Sequence, residues 1–270
     1  MFKAKKTLGQ NFLVNRGILD KIITAAELDK NDTVLEIGPG TGILTEKLAQ
    51  EAGRVIAIEK DGRLTDQLKE KFRNSNVEVV EGDVLKLDIE KLIENCKLSR
   101  LCRGSSMALP SGKIENSDYK VIGNIPYYIT SHLLKTIFEK WPMPELVVLM
   151  VQKEVAQRIM AEPPHMNLLA LSVQFFAEPK IISYVSRGSF RPIPKVDSAI
   201  IRLTPTVADK KSTRTDADKF FKLIKTAFAG KRKQLKNTIG AEILKNTGIR
   251  PKSRPEKLSL ENWLKIASEV

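Results

Sequence analysis

Five short apolar runs recur through the first 151 residues, and each stops at glycine or at a polar side chain. They are Thr33 to Gly38, Arg54 to Glu59, Val77 to Val80, Lys120 to Gly123 and Leu146 to Val151. Their β-branched, nearly unbroken apolar character is that of parallel strands covered on both faces. The stretches between them repeat at helical spacing: Leu44, Leu48 and Ala49; Leu64, Leu68 and Phe72; Leu133, Leu134, Ile137 and Phe138. Strand and helix in alternation predict an α/β fold, a Rossmann-like doubly wound sheet. Ile181 to Val185 and Ala199 to Leu203 bring the strands to seven, as a pair closing one edge.

The pattern changes after about residue 204. Phe220, Phe221, Ile224, Ala227 and Phe228 predict one amphipathic helix. Leu235, Ile239, Ile243 and Leu244 predict a second, and Leu260, Trp263, Leu264 and Ala267 a third. The expected organisation is a catalytic domain over 1–204 and a small helical domain over 205–270, joined by a polar linker from Thr204 to Thr215. Cys96 to Ser117, rich in Ser and Gly, reads as a surface insertion.

Charge is divided in the same way. The chain carries 45 Lys and Arg against 32 Asp and Glu, and from Lys180 to Val270 the counts are 21 and 8. The first 179 residues therefore balance, and the whole net charge of +13 resides in the last third. A polyanion is the expected partner, because each neutralised phosphate releases condensed counterions. Lys231, Arg232, Lys233 and Lys236 would fall on two helical turns suited to RNA backbone contacts. No run approaches the roughly 20 apolar residues of a membrane helix, and the basic N-terminus has no apolar stretch behind it. The two cysteines, Cys96 and Cys102, have no partner at ligand spacing, so no metal is expected. These features together predict a cytoplasmic monomer.

The turn after the first strand selects the cofactor class. Glu36-Ile-Gly-Pro-Gly-Thr-Gly42 spaces its glycines two and two, whereas a dinucleotide site wants G-x-G-x-x-G before a helix aimed at a pyrophosphate. Gly38 and Gly40 let a ligand lie against the backbone. Glu59, 21 positions after Gly38, could accept hydrogen bonds from both hydroxyls of a ribose. Asp83 follows the third strand, where it could receive an adenine amine. Three such pieces at the ends of three consecutive strands point to a nucleoside cofactor. The spacing favours S-adenosylmethionine over NAD.

Asn124-Ile-Pro-Tyr-Tyr128 ends the fourth strand and resembles the Asn-x-Pro-aromatic motif of methyltransferases acting on exocyclic amines. The lone pair of adenine N6 is delocalised into the ring. Acceptors on its two N–H groups, the Asn124 oxygen and a carbonyl of Ile125 or Pro126, would localise that pair toward the methyl. Pro126 stiffens the turn and removes a competing donor, and Tyr127 offers a face for an extracted base.

Further segments resemble the ribosomal RNA adenine N6,N6-dimethyltransferase family across nearly the whole chain: Lys6-Thr-Leu-Gly-Gln-Asn-Phe-Leu13, Val151-Gln-Lys-Glu-Val-Ala-Gln-Arg158 and Phe190-Arg-Pro-Ile-Pro-Lys-Val-Asp-Ser198. The resemblance implies that Gln10, Asn11 and Leu13 fold over S-adenosylmethionine, and that Phe190 forms the second face of the base sandwich. Arg254-Pro-Glu-Lys-Leu-Ser-Leu-Glu261 resembles the branch that modifies two adjacent adenosines near the 3′ end of small-subunit (16S) RNA, the kasugamycin-sensitivity branch. That branch implies small-subunit RNA, or the maturing small subunit, as partner. The alternatives are the large-subunit branch linked to macrolide resistance, an assembly factor that binds RNA without catalysis, and an NAD-linked oxidoreductase. The chain departs from the family at Ala161 to Val173, where the usual glycine turn is missing.

Overall fold

The structure, a computed structural model, describes residues 4–94, 119–206, 214–230 and 233–270. The expected insertion from Cys96 to Ser117, both cysteines, most of the linker, and Lys231 with Arg232 lie outside the described residues. The chain forms two compact units, one of residues 1–153 with 181–204, the other of 154–180 with 205–270. The contacts therefore group 154–180 with the C-terminal residues, where the sequence pattern had placed a single boundary at 204.

The first unit opens with a two-residue strand, β1 (Phe12–Leu13), and helix α1 (Arg16–Ala26). Then come β2 (Thr33–Ile37), α2 (Ile43–Glu51), β3 (Arg54–Glu59), α3 (Gly62–Lys71), β4 (Val77–Glu81), β5 (Tyr119–Asn124), α4 (Thr130–Lys140) and β6 (Leu146–Gln152). It is completed by β7 (Ala177–Val185) from Ile181 onward, β8 (Phe190–Arg191), and β9 (Ser198–Pro205) as far as Thr204. The seven-stranded sheet has the order β4-β3-β2-β5-β6-β9-β7, and β1 pairs with β8 apart from it. All seven strands expected from the sequence are present. Strands β4 to β6 run parallel, while β9 runs antiparallel to β6.

The central strands are apolar because helices cover both of their faces. On one face Leu19, Ile22 and Ala26 of α1 pack with Val34, Ile122, Val148 and Ile200. One polar residue of this region comes with its partners: buried Lys120, near the start of β5, donates to Asp32 Oδ2 at 2.9 Å and to the Glu27 carbonyl at 2.8 Å. Chain order reverses between β2 and β5, which makes their carboxyl ends the place where a ligand crevice opens in such a sheet.

The second unit holds α5 (Lys153–Ile159, from Glu154), α6 (Leu168–Gln174), α7 (Arg214–Ala229) and α8 (Leu260–Ala267). Four phenylalanines form its centre: Phe175 stacks on Phe220 at 4.4 Å, and Phe176 on Phe221 at 5.6 Å. Asn167 caps α6 by accepting from the Ala170 N–H at 3.1 Å, so the segment without the family's glycine turn still has a defined helix start. Ser259 and Asn262 form a capping box on α8. The helix expected around Leu235 to Leu244 is not formed. Residues 235–237 make one 3-10 turn, and a series of turns follows. Thr238 turns its hydroxyl onto the Leu235 carbonyl at 3.0 Å, and Gly240 adopts φ +91°, a conformation that breaks a right-handed helix. Lys233 and Lys236 are exposed there without sharing a helical face.

Candidate active site

Register brings the motif residues together. Ile37 of β2 pairs with Ile58 of β3 and with Gly123 of β5, and Glu59 pairs with Glu81 of β4. Gly38, Glu59, Gly82 and Asn124 therefore end up side by side at one edge of the sheet. A cavity opens there, lined by the turn 36–41, by Glu59 and Lys60, by 82–85, by 124–129 and by the N-terminal segment 8–13. Every residue assigned to cofactor or base by sequence lines it, with Phe190 the exception.

The glycine loop and Glu59 form one hydrogen-bonded unit. The Gly40 N–H donates to Glu59 Oε2 at 3.1 Å, and the Asp61 N–H to Oε1 at 2.9 Å. Gly40 has φ +59°, and a Cβ on it would lie 3.0 Å from the Phe12 ring, so the loop tolerates no side chain there. Burial pushes the Glu59 carboxyl up, and its backbone donors oppose that shift.

Glu36, inside β2, was not assigned a role by sequence. It is fully buried, lines the cavity, and neither of its carboxylate oxygens has a hydrogen-bond partner. Burial, with a smaller contribution from the charge of Glu59, pushes its pKa up to about 8. The neighbouring Thr45 hydroxyl, which makes no bond of full hydrogen-bonding geometry, offsets the rise only in part. A buried carboxylate without a partner is costly and marks a place for a cationic group. The ammonium of an amino-acid moiety fits that place. The signal in the sequence was an acid in the middle of T-V-L-E-I.

Asp61 anchors the N-terminal segment. Its side chain is fully buried and accepts from Lys5 Nζ at 3.0 Å, from Gln10 Nε2 at 3.0 Å, and from Arg63 Nε and Nη2 at 3.0 and 2.7 Å. Arg63, followed by Lys5 and Gln10, holds this carboxyl well below the usual range despite burial. Gln10 therefore reaches the cavity as a buttress whose amide is committed to Asp61, which its sequence assignment to the cofactor did not anticipate. Asn11 donates from Nδ2 to the Gly9 carbonyl at 3.1 Å, and its own carbonyl accepts from Asn124 Nδ2 at 3.1 Å. Leu13 is buried in the core beside the cavity.

Asn124 ends β5, and Pro126, with φ −59°, starts the 3-10 turn that carries Tyr127. The Pro126 carbonyl already accepts the Ile129 N–H at 3.2 Å. Tyr127 is half-buried, with its hydroxyl 2.6 Å from Ser198 Oγ, so its ring orientation is fixed from the start of β9. Asp83 lines the cavity with one oxygen bonded to Lys60 Nζ at 2.9 Å and the other to the Leu85 N–H at 3.2 Å. Phe190 does not line the cavity: its ring is 0% exposed and packs in the core with Leu13, Leu19 and Ile200. The pairing of β8 with β1 sets Phe190 opposite Leu13, inside the core.

A nucleoside cavity at the switch point, flanked by an Asn-Ile-Pro-Tyr turn, defines an S-adenosylmethionine-dependent methyltransferase. The comparisons then specify the protein. The chain matches the family described as ribosomal RNA adenine dimethylase over residues 1–270, and it belongs to that family. It is 39% identical over 278 residues to Ribosomal RNA small subunit methyltransferase A of Dehalococcoides mccartyi strain BAV1, covering 99% of this chain and 88% of the relative. A crystal structure of a dimethyladenosine transferase from Plasmodium falciparum superposes with TM-score 0.76 at 29% identity, covering 94% and 95% of the two chains. The 23S rRNA methyltransferase ErmE gives 0.70 at 27%, covering 96% and 99%. Both structural relatives share the architecture, so the fold alone does not separate the RNA substrates. No helix among the described residues is long and apolar enough to cross a membrane, and no group of metal-binding side chains occurs among them.

Proposed function

We propose that this chain dimethylates N6 of two adjacent adenosines near the 3′ end of small-subunit ribosomal RNA, as a cytoplasmic monomer acting on the maturing small subunit. The observation that carries the reading is the placement of Asn124 and Tyr127 on the same cavity as the glycine loop, Glu59 and the unpartnered Glu36. The name borne by the Dehalococcoides relative supports the small-subunit branch.

The residues divide the work. S-adenosylmethionine supplies a methyl group made electrophilic by its sulfonium. Glu36 holds the amino-acid ammonium, Glu59 accepts from the ribose hydroxyls, and Asp83 receives the cofactor's adenine amine. Gly38 and Gly40 allow close approach, and Gln10, Asn11 and Leu13 form the wall. The Asn124 oxygen, with the carbonyl of Ile125 or Pro126, accepts from the two N–H groups of the target amine and turns its lone pair toward the methyl. Tyr127 stacks the base. The amine would act as a neutral nucleophile, with the sulfonium C–S bond breaking as the N–C bond forms and a neutral thioether leaving; the product ammonium would lose its proton to water, so the residues supply orientation and polarisation rather than a strong base. The methyltransferase unit carries this chemistry. Residues 205–270 contact the RNA backbone, supported by exposed Lys219, Lys222 and Lys225 on α7.

The test is incubation with labelled S-adenosylmethionine and either unmethylated small subunits or naked large-subunit RNA, followed by mass spectrometry of nucleosides. Dimethyladenosine in the small-subunit sample alone is the expected result. Product only on large-subunit RNA would move the substrate to the other branch. No product on either would leave an RNA-binding assembly role in its place.

A further inference from the structure

Seven large apolar or aromatic side chains are exposed among the described residues. Five of them, Val14, Tyr128, Tyr184, Ile193 and Val196, lie in the first unit. Scattered exposed apolar groups need no explanation, but exposed groups tied to a site do. Tyr128, 63% exposed, follows Tyr127 and itself lines the cavity. Ile193, 58% exposed, and Val196 project from the loop between β8 and β9, which ends at the Ser198 hydroxyl that holds Tyr127. Tyr184, near the end of β7, carries Lys153 Nζ 5.2 Å from its ring centre.

The backbone that presents these groups is tied down. Pro194 is buried in the middle of the loop. Asp197 accepts the Arg187 N–H on its side chain at 3.0 Å and the Lys153 N–H on its carbonyl at 3.0 Å. From 187 to 197 the charge leans to one sign, with Arg187, Arg191 and Lys195 exposed against Asp197, while exposed Lys153 stands next to exposed Glu154. Flat aromatic faces interleaved with cations suit unpaired nucleotides, whose bases stack and whose phosphates are neutralised. A base stacked on Tyr127 stays joined to its neighbours in the strand, and Tyr128 and the loop ending at Ser198 are the exposed surfaces tied to Tyr127.

We infer that the rim formed by Tyr128, Tyr184 and the loop 191–197 is a docking surface for the RNA nucleotides that flank the methylated adenosine. The inference rests on the RNA-methyltransferase reading and adds to it a second RNA contact, apart from the basic C-terminal residues. Tyr128 stacks the base next to the target, and Arg187 and Lys195 contact phosphates.

The test uses the full chain and the ribosomal substrate on which the wild type makes dimethyladenosine. KM for RNA is measured against salt, and the Kd for S-adenosylmethionine is measured without RNA. Tyr128→Ala should raise the RNA KM at least about fivefold, and Tyr128→Phe, which keeps the ring, should recover most of that loss. Arg187→Ala combined with Lys195→Ala should raise KM and lower the slope of log KM on log salt by roughly 1.5. Cofactor affinity should stay unchanged in each. An RNA KM and salt slope equal to wild type would overturn the inference. So would a Tyr128→Ala defect confined to cofactor binding, which would assign Tyr128 to that ligand. Failure of the underlying reading is distinguishable: the wild type itself would then make no dimethyladenosine.

Discussion

The side-chain amide of Asn124 donates from Nδ2 to the backbone carbonyl of Asn11 across 3.1 Å. That one bond settles which end of the amide is spent on the protein: the nitrogen is held by the N-terminal segment, and Oδ1 is left as an acceptor. Two parts of the chain 113 residues apart thus set the polarity of the group proposed to receive the target amine.

Asn124→Ala should lower kcat by about 10²-fold or more, the scale seen when a positioned hydrogen-bonding group is removed from a transition state, with the Kd for S-adenosylmethionine little changed. Asn124→Asp should be nearly as impaired, since it keeps an acceptor but sets a carboxylate against the Asn11 carbonyl. Single-turnover kinetics with cofactor titration checks both; near-normal turnover in either would remove Asn124 from the chemistry.

If Glu36 holds the cofactor's ammonium as proposed, cofactor affinity should depend on pH. With its pKa pushed up to about 8, Glu36 is largely protonated in the free protein at neutral pH, and an ammonium must displace that proton. Affinity for S-adenosylmethionine should therefore tighten by about tenfold per pH unit below about 8 and then level off. The sign for folding is opposite. A carboxyl raised above its unfolded value of 4.5 contributes stability that is full below pH 4.5 and lost as pH rises toward 8. Glu36→Gln should flatten both profiles, in calorimetric titration and in denaturant melts at pH 6 to 9.

Asp61 behaves in the reverse sense. Its carboxyl is held below the ordinary 3.8, so its stabilisation is present above that value and lost as pH falls below it toward the depressed pKa. Asp61→Asn should remove part of the acid sensitivity and loosen Lys5 and Gln10, which amide hydrogen exchange over residues 5–13 would report. Unchanged exchange there would mean that Asp61 is not what holds the segment.

In the second unit, Phe220→Ala should cost about 3–5 kcal/mol, as expected for a large aromatic removed from a packed core. Phe220 stacks on Phe175 at 4.4 Å and is 1% exposed. Equilibrium unfolding of the full chain measures the loss.

Much of this was legible in the residues. The β-branched runs predicted seven strands, and the glycine spacing with Glu59 and Asn124-Ile-Pro-Tyr127 predicted a cavity whose residues do converge. These features are local: a buried strand needs a continuous apolar run, and a turn that a ligand approaches needs glycine, whatever lies elsewhere. The burial of Phe190 was not legible, for the opposite reason. An aromatic ring suits a base or a core equally, and only the pairing of β8 with β1 decides which way it faces. The segment 235–244 had helical spacing, but Gly240 and the Thr238 hydroxyl hold turns instead.

By itself, then, the sequence determined the sheet, the class of cofactor loop and the Asn-Ile-Pro-Tyr turn, because each follows from neighbours along the chain. Tertiary structure alone decided that Glu36 is a carboxylate without a partner, that Asp61 holds Lys5 and Gln10, and that Asn11 orients Asn124. Those roles arise from burial and from hydrogen bonds that span 51 to 113 residues, and no local pattern encodes such distances.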